Sequence, residues 1–182
     1  MAVANLTTDG VLAALDKFDD LGRKGFLDST GFRPANSYFL EHRSRLYDSK
    51  AIVGYAHGAS TGTPLRPNDF SGGEQTVARW LTDLGFSVRY LPHRDWTRDE
   101  LILACELLEA NGWRQADAND EQAKSLSALL QSPRIHPVGT RHPDFRNPAG
   151  VARKTLNIAA CHPDYRGARS NGSHLDKEVL DD

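Results

Sequence analysis

The segment Pro92-His93-Arg94-Asp95 constrains this chain more than any other, because it fits neither of the regular elements beside it. Before it, Phe86 to Leu91 reads as a closing strand. After it, Thr97-Arg98-Asp99-Glu100 has the capping-box pattern, in which threonine and glutamate satisfy each other's orphan backbone donors at a helix start. An extended proline-led stretch between a strand end and a helix start is a domain boundary. The 182 residues therefore divide into a domain over 1–92 and another over 93–182. The expected fold class is α+β, a small α+β N-terminal domain followed by a mainly helical C-terminal domain.

In the first half, Val11, Leu12, Leu15 and Phe18 recur at helical spacing, and Gly22 closes that segment. Arg23 to Ser29 predicts a second short helical piece ending at Gly31. Tyr38-Phe39-Leu40 and Arg45-Leu46-Tyr47 flank a polar stretch and predict a hairpin of two short strands. Ser49 to His57 then reads as helix, with Asp48 or Ser49 as N-cap and Gly58 beyond its end. Ser71-Gly72-Gly73-Glu74 predicts another capping box, opening a helix that buries Val77, Trp80, Leu81 and Leu84 and stops at Gly85.

The second half reads as helices joined by polar loops. Leu101, Cys105 and Leu108 line one face of the helix after Thr97, and Gly112 ends it. Ala123, Leu126, Leu129 and Leu130 predict a second amphipathic helix, stopped by Pro133. In Phe145-Arg146-Asn147-Pro148-Ala149-Gly150-Val151, Asn147 is a natural N-cap and Pro148 suits the first helical position, where a missing N–H costs nothing. Val151, Thr155 and Ile158 would share the buried face, leaving Gly150, Arg153, Lys154 and Asn157 opposite. A helix small at its front and basic and amide-bearing behind suits a DNA groove. A basic solvated face on an ordinary amphipathic helix accounts for the same pattern.

Net charge gives no hint of nucleic acid, at −2 with 25% of residues charged. Counterion release depends on local clusters, however. Between Arg141 and Arg169 stand six Lys or Arg and only two Asp, a local charge of +4. An internal echo lies in the same segment: His142-Pro143-Asp144-Phe145-Arg146 recurs as His162-Pro163-Asp164-Tyr165-Arg166. Turn formation alone explains such an echo, but each copy sets an aromatic beside an arginine at one end of the candidate helix. The loop Arg166-Gly167-Ala168-Arg169-Ser170-Asn171-Gly172 suits phosphate contacts.

Other chemistries find little support. Cys105 and Cys161 are the only cysteines, too few for a disulfide framework and in keeping with a reducing cytoplasm. No signal sequence and no membrane-length apolar run is visible. His136, His142, Cys161, His162 and His174 follow no standard zinc spacing, so no metal and no cofactor is expected. Gly72-Gly73 leaves backbone donors uncovered at a helix start but lacks the Gly-Lys-Ser/Thr of a phosphate loop. Tyr47-Asp48-Ser49-Lys50 places an aromatic and a cation at a strand-to-helix junction; the plainer reading is a core tyrosine and a solvated lysine.

Several motifs together resemble one family. Phe32, Tyr38-Phe39-Leu40, Arg45 to Ile52, His57-Gly58, Asp69-Phe70-Ser71-Gly72-Gly73-Glu74 and Leu84-Gly85-Phe86 resemble the N-terminal head domain of McrA-like HNH restriction endonucleases. Trp96 to Leu101, Phe145 to Val151 and Leu175-Asp176-Lys177-Glu178-Val179 resemble a helical segment that precedes the HNH domain in related proteins. The resemblance implies recognition of modified double-stranded DNA, 5-methylcytosine foremost, within a restriction system. It does not extend to the nuclease: the chain shows no CxxC pair and no metal-binding histidine pair, so a non-enzymatic reader is expected, with a nuclease domain or partner elsewhere in the parent protein.

On this reading Arg146, Arg153, Lys154, Arg166, Arg169, Ser170 and Lys50 are the candidate DNA-binding residues, with Asn147 and Asn157 near base edges. Tyr47, Trp96, Phe145 and Tyr165 are the candidates for sensing a modified base, by groove contact or around a flipped base. The alternative is a protein-interaction or adaptor module of a restriction nuclease with only general DNA binding.

Overall fold

The computed structural model describes residues 5–163 and 165–181. The chain forms two units, Met1–Pro92 and His93–Asp182, each with its own hydrophobic core. The fold is α+β, with a single small sheet among the described residues. No helix among them is long and apolar enough to cross a membrane.

The first unit opens with α1, Thr8–Thr30, capped by the Thr7 hydroxyl on the Gly10 N–H. The two helical pieces expected on either side of Gly22 are joined across a kink there, at φ 69°, a conformation only glycine adopts without strain. Strands β1, Tyr38–His42, and β2, Arg45–Asp48, pair antiparallel, Leu40 opposite Tyr47. Their two-residue turn puts Arg43 and Ser44 in the left-handed region, the twist that suits a tight hairpin. Strand β3, Ser87–Tyr90, pairs with the other side of β1, giving the order β2-β1-β3. Phe26, Leu40, Ile52 and Leu81 are fully buried in the core that the helices make with this sheet. Burying each such side chain contributes about 1.5–3 kcal/mol.

Two local expectations for this unit are corrected. Helix α2, Ser49–Thr61, runs through Gly58 and ends at Gly62, φ 81°. Gly58 lies within the helix, and the chain returns over it so closely that a Cβ there would lie 2.9 Å from Pro64. Asp48 is the N-cap residue of α2, as expected, but its carboxylate makes no capping bond and accepts instead from Arg23 at 2.7 and 3.0 Å and from the Ala35 N–H at 2.7 Å. The capping box expected at Ser71 and Glu74 does not form either. The helix there begins with a π-helical turn, Glu74–Ala78, before α3, Arg79–Asp83, and the Ser71 hydroxyl pairs with that of Thr76.

The second unit packs four helices, α4 Arg98–Ala110, α5 Glu121–Leu130, α6 Pro148–Ala159 and α7 His174–Asp181, around Leu101, Leu108, Leu130, Val151 and Ile158. The Thr97 capping box is complete: the threonine hydroxyl accepts from Glu100 N and the glutamate accepts from Thr97 N at 2.8 Å. Gly112 and Trp113 then turn the chain in the left-handed region, φ 61° and 60°.

Candidate nucleic-acid interface

Helix α6 begins as its sequence dictates. Pro148 occupies the first turn and the Asn147 side chain accepts from Gly150 N at 2.7 Å. That commits the Asn147 carbonyl oxygen to the cap and away from a base edge. Val151, Thr155, Ile158 and Ala159 are buried, and Arg153 projects into solvent.

The residue before the cap departs from expectation. Arg146, a candidate phosphate ligand, is only 7% exposed. Its Nε and Nη2 donate to the two Glu100 carboxylate oxygens at 2.9 and 2.8 Å. Nη1 donates to the Arg94 carbonyl at 3.0 Å and Nη2 also to that of Asp95 at 2.6 Å. The guanidinium lies 4.3 Å from the Trp96 ring centre and 4.6 Å from that of Phe145. A guanidinium so enclosed holds the chain on both sides of α4 together and cannot meet a phosphate.

Glu100 is the partner that makes this burial tolerable. Burial pushes its carboxyl upward, but the Arg146 hydrogen bonds, the Thr97 N–H and His136 Nε2, 3.0 Å away, together hold it below the ordinary glutamate value. The ionised form is the one the fold requires.

Lys154 is likewise occupied. Its side chain is 12% exposed and its ammonium lies 3.0 and 3.2 Å from the carboxylate of Asp176, which is wholly buried. Asp176 also closes a reciprocal cap at α7, accepting from Ser173 N at 2.7 Å while its own N–H donates to the Ser173 hydroxyl. This lysine therefore fastens α7 to α6.

Three expected cations remain exposed in the second unit: Arg153 on α6, and Arg166 and Arg169 on the following loop. The Ser170 hydroxyl hydrogen-bonds the Asn157 side-chain oxygen, one turn beyond Arg153, and so ties the loop to the helix. Gly172 lets the same loop pass close to Cys161 and the Asn157 carbonyl, where any side chain would collide. Ser170 and Asn157 thus fix the end of the loop that carries Arg166 and Arg169 against α6.

The other candidates are placed differently. Tyr47 is 2% exposed in the first core, edge-on to Phe18, with its hydroxyl donating to Asp19 at 3.1 Å. Phe145 is 5% exposed, packed edge-on against His136. Neither ring can receive a base without unfolding its surroundings. Trp96 is half-buried beneath Arg146 and Lys154. Lys50, in the first unit, donates to the Pro67 carbonyl at 2.7 Å and lies over the Phe70 ring. Its stem packs on Gly72, so that glycine accommodates a lysine side chain.

Tyr165 borders an open space, a cavity of about 630 Å³. Trp113 and His162 line it too, their rings stacked 4.6 Å apart and 27° from parallel. No motif marks Trp113 in the sequence; its one signal is a tryptophan beside an arginine just after a helix-ending glycine. No three His, Cys, Asp or Glu side chains converge as metal ligands among the described residues.

Residues 4–90 match the family model of the ScoMcrA-like N-terminal head domain. Among solved structures, the chain is similar to that of the type IV phosphorothioation-dependent restriction endonuclease ScoMcrA, with 23% identity over 84% of this chain and 26% of that one, at a TM-score of 0.38. The chain spans about a quarter of that protein's length. No curated protein matches.

Proposed function

Residues 4–90 are a ScoMcrA-like N-terminal head domain, and from that premise we propose that the chain is the DNA-recognition part of a modification-dependent restriction system, acting in the cytoplasm. The observation that carries this reading is the exposed arginine group Arg153, Arg166 and Arg169, displayed by α6 and by the loop that Ser170 ties to it. Exposed guanidinium groups held on a pinned backbone are ligands for phosphates, and three of them suit a duplex backbone.

The modification itself has two readings. A 5-methylcytosine reader needs an apolar surface at the methyl group; burial withdraws Tyr47 and Phe145 from that role and leaves Trp96 half-buried and Tyr165 beside an open cleft. A phosphorothioate lies on the backbone, where the arginines act, and the head-domain family is named for ScoMcrA, a phosphorothioation-dependent enzyme. We favour the backbone modification.

The test is affinity for one duplex sequence in three forms: unmodified, carrying 5-methylcytosine, and carrying a single phosphorothioate. Preference for the phosphorothioate form supports the favoured reading, and preference for the methylated form restores 5-methylcytosine. Equal binding of all three leaves an adaptor with general DNA affinity. Absence of binding at low salt removes DNA recognition altogether.

A further inference from the structure

Some side chains of the first unit are left over once its core and its ion pairs are assigned. Leu21 on α1 is 42% exposed, a large apolar side chain in water. Lys17, one turn earlier, is half-buried, and Arg66, in the loop after α2, is exposed. Neither cationic group has a partner among the described residues, and the Tyr55 hydroxyl on α2 has none either. All four residues line one cavity of about 970 Å³, bounded by α1, α2 and that loop.

The walls of this cavity are fixed by bonds that leave its interior unused. A Cβ on Gly54 would lie 2.4 Å from the Phe32 ring, so glycine there admits that ring into the wall. The loop is pinned to α2: Leu65 N donates to the Gly54 carbonyl at 3.1 Å, and His57 Nδ1 lies 2.7 Å from the Thr63 carbonyl. Arg66 N donates to the Asp69 carboxylate at 2.7 Å, and Asp69 N to the Arg66 carbonyl at 3.0 Å. Each of these bonds runs within the loop or to α2, so the loop stands off from α1 and the space stays open. The Asp69 carboxylate is thereby engaged by backbone, which leaves Lys17 and Arg66 to set the charge. The Ser29 and Thr30 hydroxyls, also in the lining, donate to the Phe26 carbonyl.

We propose that this cavity binds an organic carboxylate with an apolar ring, its carboxylate on Lys17, Arg66 and the Tyr55 hydroxyl, its ring against Leu21, Phe32 and Leu65. A preformed, mostly apolar hollow with a few placed polar groups is the form of a small-molecule site, and this volume suits one. The unused groups are all donors and two of them are cationic, which selects a head that only accepts hydrogen bonds and carries negative charge. A cationic head would add to the charge of Lys17 and Arg66 instead of offsetting it. Phe32 and Tyr55 already contact other rings, Phe70 at 6.0 Å and Phe26 at 5.5 Å, so the apolar wall is aromatic and favours a ring over an open chain. The site belongs wholly to the first unit and does not depend on whether the second reads DNA.

The probe is 2-naphthoate, titrated calorimetrically into the intact chain, with 2-naphthamide as its uncharged match. Naphthoate should bind saturably at one site, and naphthamide should bind about tenfold to a hundredfold more weakly, the worth of hydrogen bonds to a charged group. Lys17→Gln with Arg66→Gln should weaken naphthoate by a similar factor and leave naphthamide unchanged. Ala59→Trp, at an exposed position of the cavity wall, should fill the space and abolish binding of both. Arg79→Gln, outside the cavity, should change neither.

No saturable binding of naphthoate overturns the proposal. Equal binding of naphthoate and naphthamide by the parent also overturns it, by making the hollow a merely apolar one. Binding that survives both the paired substitution and Ala59→Trp places the ligand elsewhere. If Ala59→Trp unfolds by circular dichroism, the paired substitution and the naphthamide comparison still decide. Capture of a short Glu-Leu peptide without any binding of naphthoate would give the cavity to a protein segment and reject the small molecule.

Discussion

Arg146 and Glu100 face each other through two near-parallel hydrogen bonds of 2.9 and 2.8 Å, both side chains almost wholly out of water. An arginine that the sequence offers to DNA is thereby the internal tie of the second unit. A buried pair of this kind is weak evidence of net stabilisation, but breaking it strands a charge.

Arg146→Ala is accordingly expected to destabilise the second unit by about 3–5 kcal/mol, because Glu100 would stay buried without its main partner. Thermal and urea denaturation measure this. A variant as stable as the parent would show that the pair is not formed as described.

The same carboxylate fixes a pH dependence. Glu100 is held below the ordinary value of 4.5, so its contribution is complete above that value and is lost as pH falls through the lower folded one. The unit should therefore lose stability progressively on acidification below about pH 5. Glu100→Gln should be less stable at neutral pH and should show a smaller acid loss. An unchanged acid limb in that variant would assign the loss to other carboxylates.

Adjacent residues on α6 should behave oppositely. Arg153→Ala removes an exposed charge and should leave the melting temperature nearly unchanged, whereas Lys154→Ala leaves Asp176 buried and unpaired and should lower it. In DNA binding the order reverses. Each of Arg153, Arg166 and Arg169 changed to Ala should reduce the slope of log affinity against log salt by about one. Equal effects of Arg153→Ala and Lys154→Ala on stability would mean that the Asp176 contact is not formed.

The chain alone is expected to leave DNA uncut in magnesium, manganese or zinc. Its sequence lacks the paired histidines of an HNH site, and among the described residues no such cluster assembles. Metal-dependent cutting that tracks with the purified chain and is abolished by His162→Ala or His174→Ala would reveal a site the geometry does not suggest.

The positions of Thr97, Asn147, Pro148 and the sheet strands were legible in the sequence because each depends on neighbours within a few residues. Capping needs a side-chain oxygen three residues from its donor, and a hairpin needs two short apolar runs flanking a polar turn, both of which are written in order along the chain. The same locality explains the helix after Asn147, whose buried face of Val151, Thr155 and Ile158 was evident from spacing alone. Gly58 and the Ser71 box failed because the deciding partners, Pro64 returning over α2 and Thr76 in a π-helical turn, belong to geometry that propensity does not encode.

For the candidate interface the division is sharper. From sequence, Arg146, Arg153 and Lys154 are three cations around one helix, equal in charge and reach. Only tertiary structure sets Glu100 against Arg146 and Asp176 against Lys154, across separations of 46 and 22 residues, and leaves Arg153 in water. Likewise Phe145 and Tyr165 hold the same place in the two copies of the echo, yet one ring is in the core and the other borders a cleft with Trp113. A side chain's charge or ring belongs to the sequence; whether it faces solvent depends on which distant residues the packed core brings against it.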